Sequence, residues 1–139
     1  MYLLDTNVVA ELRRPRPHGA VLTWFETVSA DQLFLSAVTI GEIQAGIEIT
    51  REQDAPKARE IEAWLDKVVA SYGILPMDAA VFREWAQLKQ RTSDTLVEDE
   101  MIAAMARVHR LTVVTGNTHN FAQLSVPLLN PFEQAEEEA

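Results

Sequence analysis

Five short apolar runs, spaced along the chain with amphipathic segments between them, restrict the fold more than anything else in the sequence. The runs are Tyr2 to Leu4, Gln32 to Leu35, Gly73 to Leu75, Leu111 to Thr115 and Val126 to Leu128. None alternates cleanly between apolar and polar residues, so none presents a wet face, and strands of that kind belong to a parallel sheet covered on both sides. The segments between them carry apolar residues at helical spacing. They are Thr6 to Arg13, Gly19 to Val28 with Leu22 and Phe25 inward, Ala37 to Thr50, Pro56 to Tyr72, Asp78 to Gln90 and Glu98 to His109. Pro15 and Pro17 break the first helix from the second, and a polar turn around Asp54 separates the third from the fourth. Strands alternating with helices predict a three-layer α/β/α domain with a short, mostly parallel central sheet.

The 139 residues suit one domain, read here as residues 1–132, followed by an acidic tail over 133–139 that is expected to be solvated and disordered. There is no cysteine, which excludes disulfides, zinc–thiolate sites and cysteine nucleophiles. Met1 to Leu4 has no basic region and meets Asp5 before a useful apolar length can form. Neither a signal peptide nor a membrane span is therefore expected, and a cytoplasmic setting follows. A net charge of −9 argues against a protein that holds nucleic acid by broad attraction, and favours a basic partner.

In a parallel sheet, ligands bind beyond the carboxyl ends of the strands. Asp5 sits at such an end, and Asn117 and Asn120 lie in the loop after Leu111 to Thr115. At about 100° per residue, Glu42 falls on an arc with Val38, Gly46 and Ile49, on or beside the packed face of its helix. Gly46 suggests close approach to another element. Asp99 occupies the first turn of a helix whose stripe continues through Ile102, Ala103 and Ala106. Glu98 and Glu100 flank it and point elsewhere.

Unpaired carboxylates near packed faces are costly. No Lys or Arg lies one turn from Glu42, so a hard divalent cation is an economical compensation, and it points to metal-dependent phosphate chemistry. Plainer readings stand beside it. Asp5 can be an N-cap, Asp99 an acid favoured by the helix dipole, and Glu42 the partner of a distant arginine. Periodicity alone leaves both sets of readings open.

Four segments, taken in order, resemble the PIN-domain ribonucleases, specifically the VapC and FitB-like toxins of type II toxin–antitoxin pairs. They are MYLLDTNVVAEL (Met1 to Leu12), LFLSAVTIGEIQAGIE (Leu33 to Glu48), VEDEMIAAMARVHRLTVVTGNTHNF (Val97 to Phe121) and VPLLNPF (Val126 to Phe132). The resemblance implies that Asp5, Glu42 and Asp99 are metal-binding acids, with Thr6 as the hydroxyl residue supporting the first of them. It also implies Mg2+ or Mn2+ as the metal, an RNA substrate, a homodimer, and a cognate antitoxin with a basic DNA-binding part.

Two positions depart from the pattern. Asn120 stands where many members carry a fourth Asp, and Gly116 where a basic residue is frequent. Asn120 can still accept a hydrogen bond or orient a water, but it adds no charge. This leaves two other classes to weigh: a PIN-fold binding module without turnover, and a metal-dependent phosphohydrolase acting on nucleotides.

Other chemistry is sparse. His18, His109 and His119 read as capping or surface residues, and no glycine loop suits a phosphate. Trp64 and Trp85 sit at helical spacing among apolar residues and read as core or dimer surface. Arg13, Arg14 and Arg16, and Lys89 with Arg91, form short basic patches, as solvated surface or as contacts to an RNA backbone.

Overall fold

A computed structural model describes residues 1–92 and 95–133; the acidic tail read from sequence lies, apart from Glu133, outside the described residues. The strands are β1 (Tyr2–Leu4), β2 (Leu33–Ser36), β3 (Gly73–Leu75), β4 (Thr112–Val114) and β5 (Leu128–Leu129). They form one sheet in the order β3-β2-β1-β4-β5, and every pairing is parallel. Leu4 of β1 is in register with Leu35 on one side and Val114 on the other. The ends of β1, β2 and β4 therefore lie side by side.

The expectation of a doubly covered sheet holds residue by residue. Successive strand side chains point to opposite faces. Leu3 joins Val113, Ile102 and Ala103 in one buried cluster, whereas Leu4 joins Val8, Trp24, Leu35 and Val114 in the other. The first face carries α5 (Ala79–Arg91), α6 (Val97–His109) and α7 (Thr118–Phe121); the second carries α1 (Thr6–Glu11), α2 (Gly19–Glu26), α3 (Ala37–Gln53) and α4 (Ala55–Ser71). No helix among the described residues is long and apolar enough to cross a membrane.

In α6 every residue from Ile102 to Ala106 is buried, and the three alanines in that run let the helix settle close against its neighbours. Asp54 both ends α3 and caps α4, its carboxylate accepting from the Lys57 N–H.

Several expectations need correction. Leu22 is 40 % exposed, because Ala20, Val21 and Trp24 define the inner face of α2 and turn Leu22 outward. Trp24 wins that face by packing edge-on against Tyr2 and Phe25 at 5.2 and 5.1 Å; Phe25 does pack inward, half-buried. The last strand, expected at Val126 to Leu128, is found at Leu128–Leu129, starting two residues later and ending one later. The loop after β4 contains α7, a single turn pinned by buried Phe121.

Candidate metal centre

Asp5 is the first residue past β1. Its N–H still bonds the Val114 carbonyl at 2.9 Å, so the sheet fixes its backbone while its side chain starts α1. One carboxylate oxygen accepts from the Thr6 N–H at 2.8 Å; the other accepts from the Thr115 hydroxyl at 2.8 Å and the Asn7 amide at 3.1 Å. The N-cap reading is thus correct but incomplete. A carboxylate offers about four lone-pair sites, and three donors leave capacity for one more. Burial pushes the Asp5 carboxyl above the usual range, against the pull of the Thr115 and Thr6 bonds.

Glu42 lies on the flank of α3. The packed stripe of that helix is Thr39, Ile43 and Ile47, and Glu42 is exposed beside it, so of the two placements expected, on or beside the packed face, the second is the one found. Gly46 is also exposed, and a Cβ there would meet nothing within 4 Å; no close approach explains it. What holds Glu42 is Thr6, whose hydroxyl lies 2.9 Å from a carboxylate oxygen. Thr6 has one hydroxyl proton, and the charge-assisted bond takes it. The fully buried Thr39 hydroxyl, 3.1 Å away, then donates to Thr6. The hydroxyl of Thr6 therefore supports Glu42, and Asp5 receives only its backbone N–H. Partial desolvation raises the Glu42 carboxyl most, the charges of Asp5 and Glu98 add to it, and the Thr6 hydrogen bond pulls the other way.

Asp99 is the third residue of α6, half-buried, and its Oδ2 is buried with no hydrogen-bond partner among the described residues. Its carboxyl is pushed up to about 6, mainly by burial and then by the negative charges of Asp5, Glu42 and Glu98. The chain thus brings the three predicted acids into one electrostatic neighbourhood, where α3 and α6 approach each other. Glu98, discounted from its angle on the helix, adds to that field. Glu100 does point away, buried and accepting from the Thr92 hydroxyl at 2.8 Å.

Among the described residues, the Lys and Arg side chains that form ion pairs choose Glu11, Glu48, Glu60, Glu62 and Glu84. None of them pairs with Asp5, Glu42 or Asp99. No three Asp, Glu or His side chains among the described residues form a ready-made metal cage either. An all-oxygen donor set with an orphaned buried carboxylate oxygen, open rather than closed, fits a hard cation that keeps part of its water shell. It does not fit zinc enclosed by protein ligands.

Asn120 lines, with Thr95, Leu96 and Asp99, a cavity of about 100 Å³. That is room for water beside Asp99. Asn117 contributes through its backbone, its N–H donating to the Thr115 hydroxyl oxygen at 2.9 Å, and its side chain makes no cap bond.

Sequence reasoning missed two residues that order this corner. Thr115 is fully buried and links Asp5, Asn7 and Asn117. Asn7 spans Asp5 and the Gly116 N–H, 3.2 Å from its Oδ1. Strand register was the available signal: if Leu4 pairs Val114, residues 5 and 115 must be neighbours. The histidines behave as expected for capping and surface residues. His18 caps α2 by accepting from the Ala20 N–H at 3.2 Å, while His109 and His119 are exposed. Trp64 and Trp85 are packed into the core clusters.

A sheet of this order with carboxylates gathered at its carboxyl rim defines a class, and sequence comparison supplies its name. The PIN domain family model matches residues 2–126, and the chain belongs to that family. Toxin FitB of Neisseria gonorrhoeae (strain ATCC 700825 / FA 1090) is 32 % identical over 139 residues, covering 95 % of this chain and 99 % of FitB. The VapC ribonuclease Y4jK of Sinorhizobium fredii (strain NBRC 101917 / NGR234) is 33 % identical over 144 residues, covering 97 % of this chain and all of that one (100 %). The crystal structure of FitAcB from Neisseria gonorrhoeae superposes with a TM-score of 0.86 at 31 % identity, over 95 % of this chain and 99 % of that one. FitAB bound to the IR36 DNA fragment gives a TM-score of 0.84 at 30 % identity, over 95 % and 96 % of the two chains.

Proposed function

We propose that this chain is the toxin of a type II toxin–antitoxin pair, acting in the cytoplasm as an endoribonuclease dependent on Mg2+ or Mn2+. The observation that carries the reading is the buried Oδ2 of Asp99 beside Asp5 and Glu42: among the described residues it has no hydrogen-bond partner, and no cation pairs with any of the three acids. Asp5, Glu42 and Asp99 would hold the ion, and Asn120 would orient a water in the cavity it shares with Asp99. When bound, such a cation supplies Lewis-acid charge at the phosphate and an ionisable water near neutral pH.

The chain's own groups prepare that chemistry. Thr115, Asn7 and the Thr6 N–H fix Asp5 in one orientation. Thr39 and Thr6 relay a hydrogen bond that fixes Glu42. Asp99, half-buried, keeps an acceptor free at the rim. The match to FitAB bound to DNA supports an antitoxin partner whose other part binds DNA. A net charge of −9 with an acidic centre favours a basic inhibitory segment in that antitoxin, and a homodimer is the assembly proposed for the toxin itself.

The test is incubation of the purified chain with structured RNA and with mononucleotides, in EDTA and then in Mg2+ or Mn2+. Cleavage of RNA only with metal, abolished by Asp5→Asn or Asp99→Asn in folded protein, is the expected result. Hydrolysis of mononucleotides instead would establish the phosphohydrolase alternative. Metal-independent cleavage, or unchanged cleavage by Asp5→Asn, would overturn the mechanism. Absence of turnover with intact antitoxin binding would make the chain a binding module.

A further inference from the structure

From the ring pair Phe132 and His18 at the flank of the acidic centre, we infer a nucleotide subsite that stacks one RNA base and leads the backbone over the basic loop 13–16. The inference rests on the ribonuclease reading and adds the surface that positions its substrate.

Phe132 lies close to the catalytic corner. Its ring covers Gly116 so closely that a Cβ at that glycine would stand 2.8 Å from ring carbons. The Gly116 N–H bonds the Asn7 side chain, and Asn7 bonds the Asp5 carboxylate. One glycine and one asparagine thus separate the ring from Asp5. Phe132 is held in place by its backbone N–H, which donates to the Asn130 side-chain oxygen at 3.0 Å, and its ring by packing on the cluster that contains Val114.

Phe132 is half-buried, so the ring keeps accessible surface, and exposed His18 stands against it at 5.2 Å with the ring planes at 68°. The Nδ1 of His18 accepts from the Ala20 N–H, which puts the proton of the neutral imidazole on Nε2 as a donor. Two residues earlier, Arg16 is exposed, as are Arg13 and Arg14. Arg14 reaches Glu11 only at 3.6 Å, and among the described residues neither Arg13 nor Arg16 has an ion pair.

These features combine the two elements of single-strand recognition, an aromatic face and cations that follow the backbone. They also give the acidic chain a local positive flank where its overall charge would repel RNA. The alternative use of Phe132, as filler above Gly116, accounts for the ring's contact with that glycine. It does not account for exposed Arg13 and Arg16, which have no ion pair among the described residues and lie in the loop that leads to the capping imidazole against the ring.

The experiment measures the affinity of a labelled single-stranded RNA by fluorescence anisotropy in Ca2+, alongside the KM for cleavage in Mn2+. Phe132→Leu keeps the apolar filling and is expected to weaken binding and raise KM about tenfold, the scale of one lost base stack, with little change in kcat. Phe132→Tyr is expected to retain affinity. His18→Asn keeps a helix-capping acceptor and is expected to weaken binding about threefold, which guards against a Phe132 variant that fails to fold.

An RNA with one abasic ribose at the stacked position should lose the same tenfold on the unaltered protein and nothing further on Phe132→Leu. RNA binding that is equal in all variants, with cleavage intact, overturns the subsite and leaves the ribonuclease reading standing. RNA binding that shows the expected losses without any cleavage supports the subsite and overturns the ribonuclease reading. No binding of RNA by the unaltered protein in Ca2+ overturns the subsite outright.

Discussion

Replacing Asp99 with asparagine should make the metal-free protein more stable while destroying its proposed activity. The Asp99 carboxyl is raised from its ordinary 3.8 to about 6 by burial and by three neighbouring acids. The folded state therefore holds this proton more tightly than the unfolded chain does. Stability from this group is greatest below its unfolded pKa, falls as pH rises from about 4 to about 6, and stays low above that.

At about 1.4 kcal/mol per pKa unit, a rise from 3.8 to about 6 corresponds to about 3 kcal/mol in a fully shielded site. Asp99 is only half-buried, and solvent screening reduces that to about 1.5 kcal/mol. The substituted asparagine side chain carries no charge, and its amide hydrogens can face the two remaining carboxylates. Urea unfolding of both proteins in EDTA at pH 7.5 should show Asp99→Asn more stable by about 1–1.5 kcal/mol, with the difference vanishing near pH 4. Added Mn2+ should reverse the order by stabilising the unaltered protein selectively. A variant equally stable or less stable in EDTA at pH 7.5, or a difference that does not depend on pH, would refute the reasoning.

Other substitutions test the supporting groups. Thr115→Val removes the hydroxyl that bonds Asp5 and receives the Asn117 N–H; it should cost about 1–2 kcal/mol and weaken Mn2+ binding in calorimetry, and unchanged affinity would show that Thr115 does not position the acid. Asn120→Asp adds charge to the cavity shared with Asp99. It should tighten Mn2+ several-fold and steepen its pH dependence, whereas no gain would mean that position 120 does not serve the ion. Glu98→Gln removes one of the charges that raise both Glu42 and Asp99. Metal-free stability at pH 7.5 should rise modestly while cleavage persists, and abolished cleavage would make Glu98 an essential ligand.

The sheet was legible because its strands are short apolar runs that only a doubly covered layer can accommodate, and Leu3 and Leu4 went to opposite clusters as that logic requires. Asp99 was legible from its place in the first turn above a stripe of alanines. Glu42 was found for a partly mistaken reason: its stripe of Val38, Gly46 and Ile49 is the open side of α3, and Ile49 is 67 % exposed. A periodicity argument identifies a face but not which neighbour covers it.

The roles of Thr115 and Asn7 depend on contacts between residues more than a hundred positions apart, and composition cannot show them. Strand register could have shown the first. The influence of Glu98 was missed because an angular argument follows side-chain direction, whereas charge acts through space. One-turn α7 escaped because four residues hold too little periodicity to be seen.

The proposed activity requires Asp5, Glu42 and Asp99 to bind one divalent ion together. Anomalous diffraction at the manganese edge from a Mn2+-soaked crystal tests this directly. A peak reached by all three carboxylates, directly or through one water, is the predicted result; an empty map at that corner, or a lysine or arginine seated among the three, would contradict it.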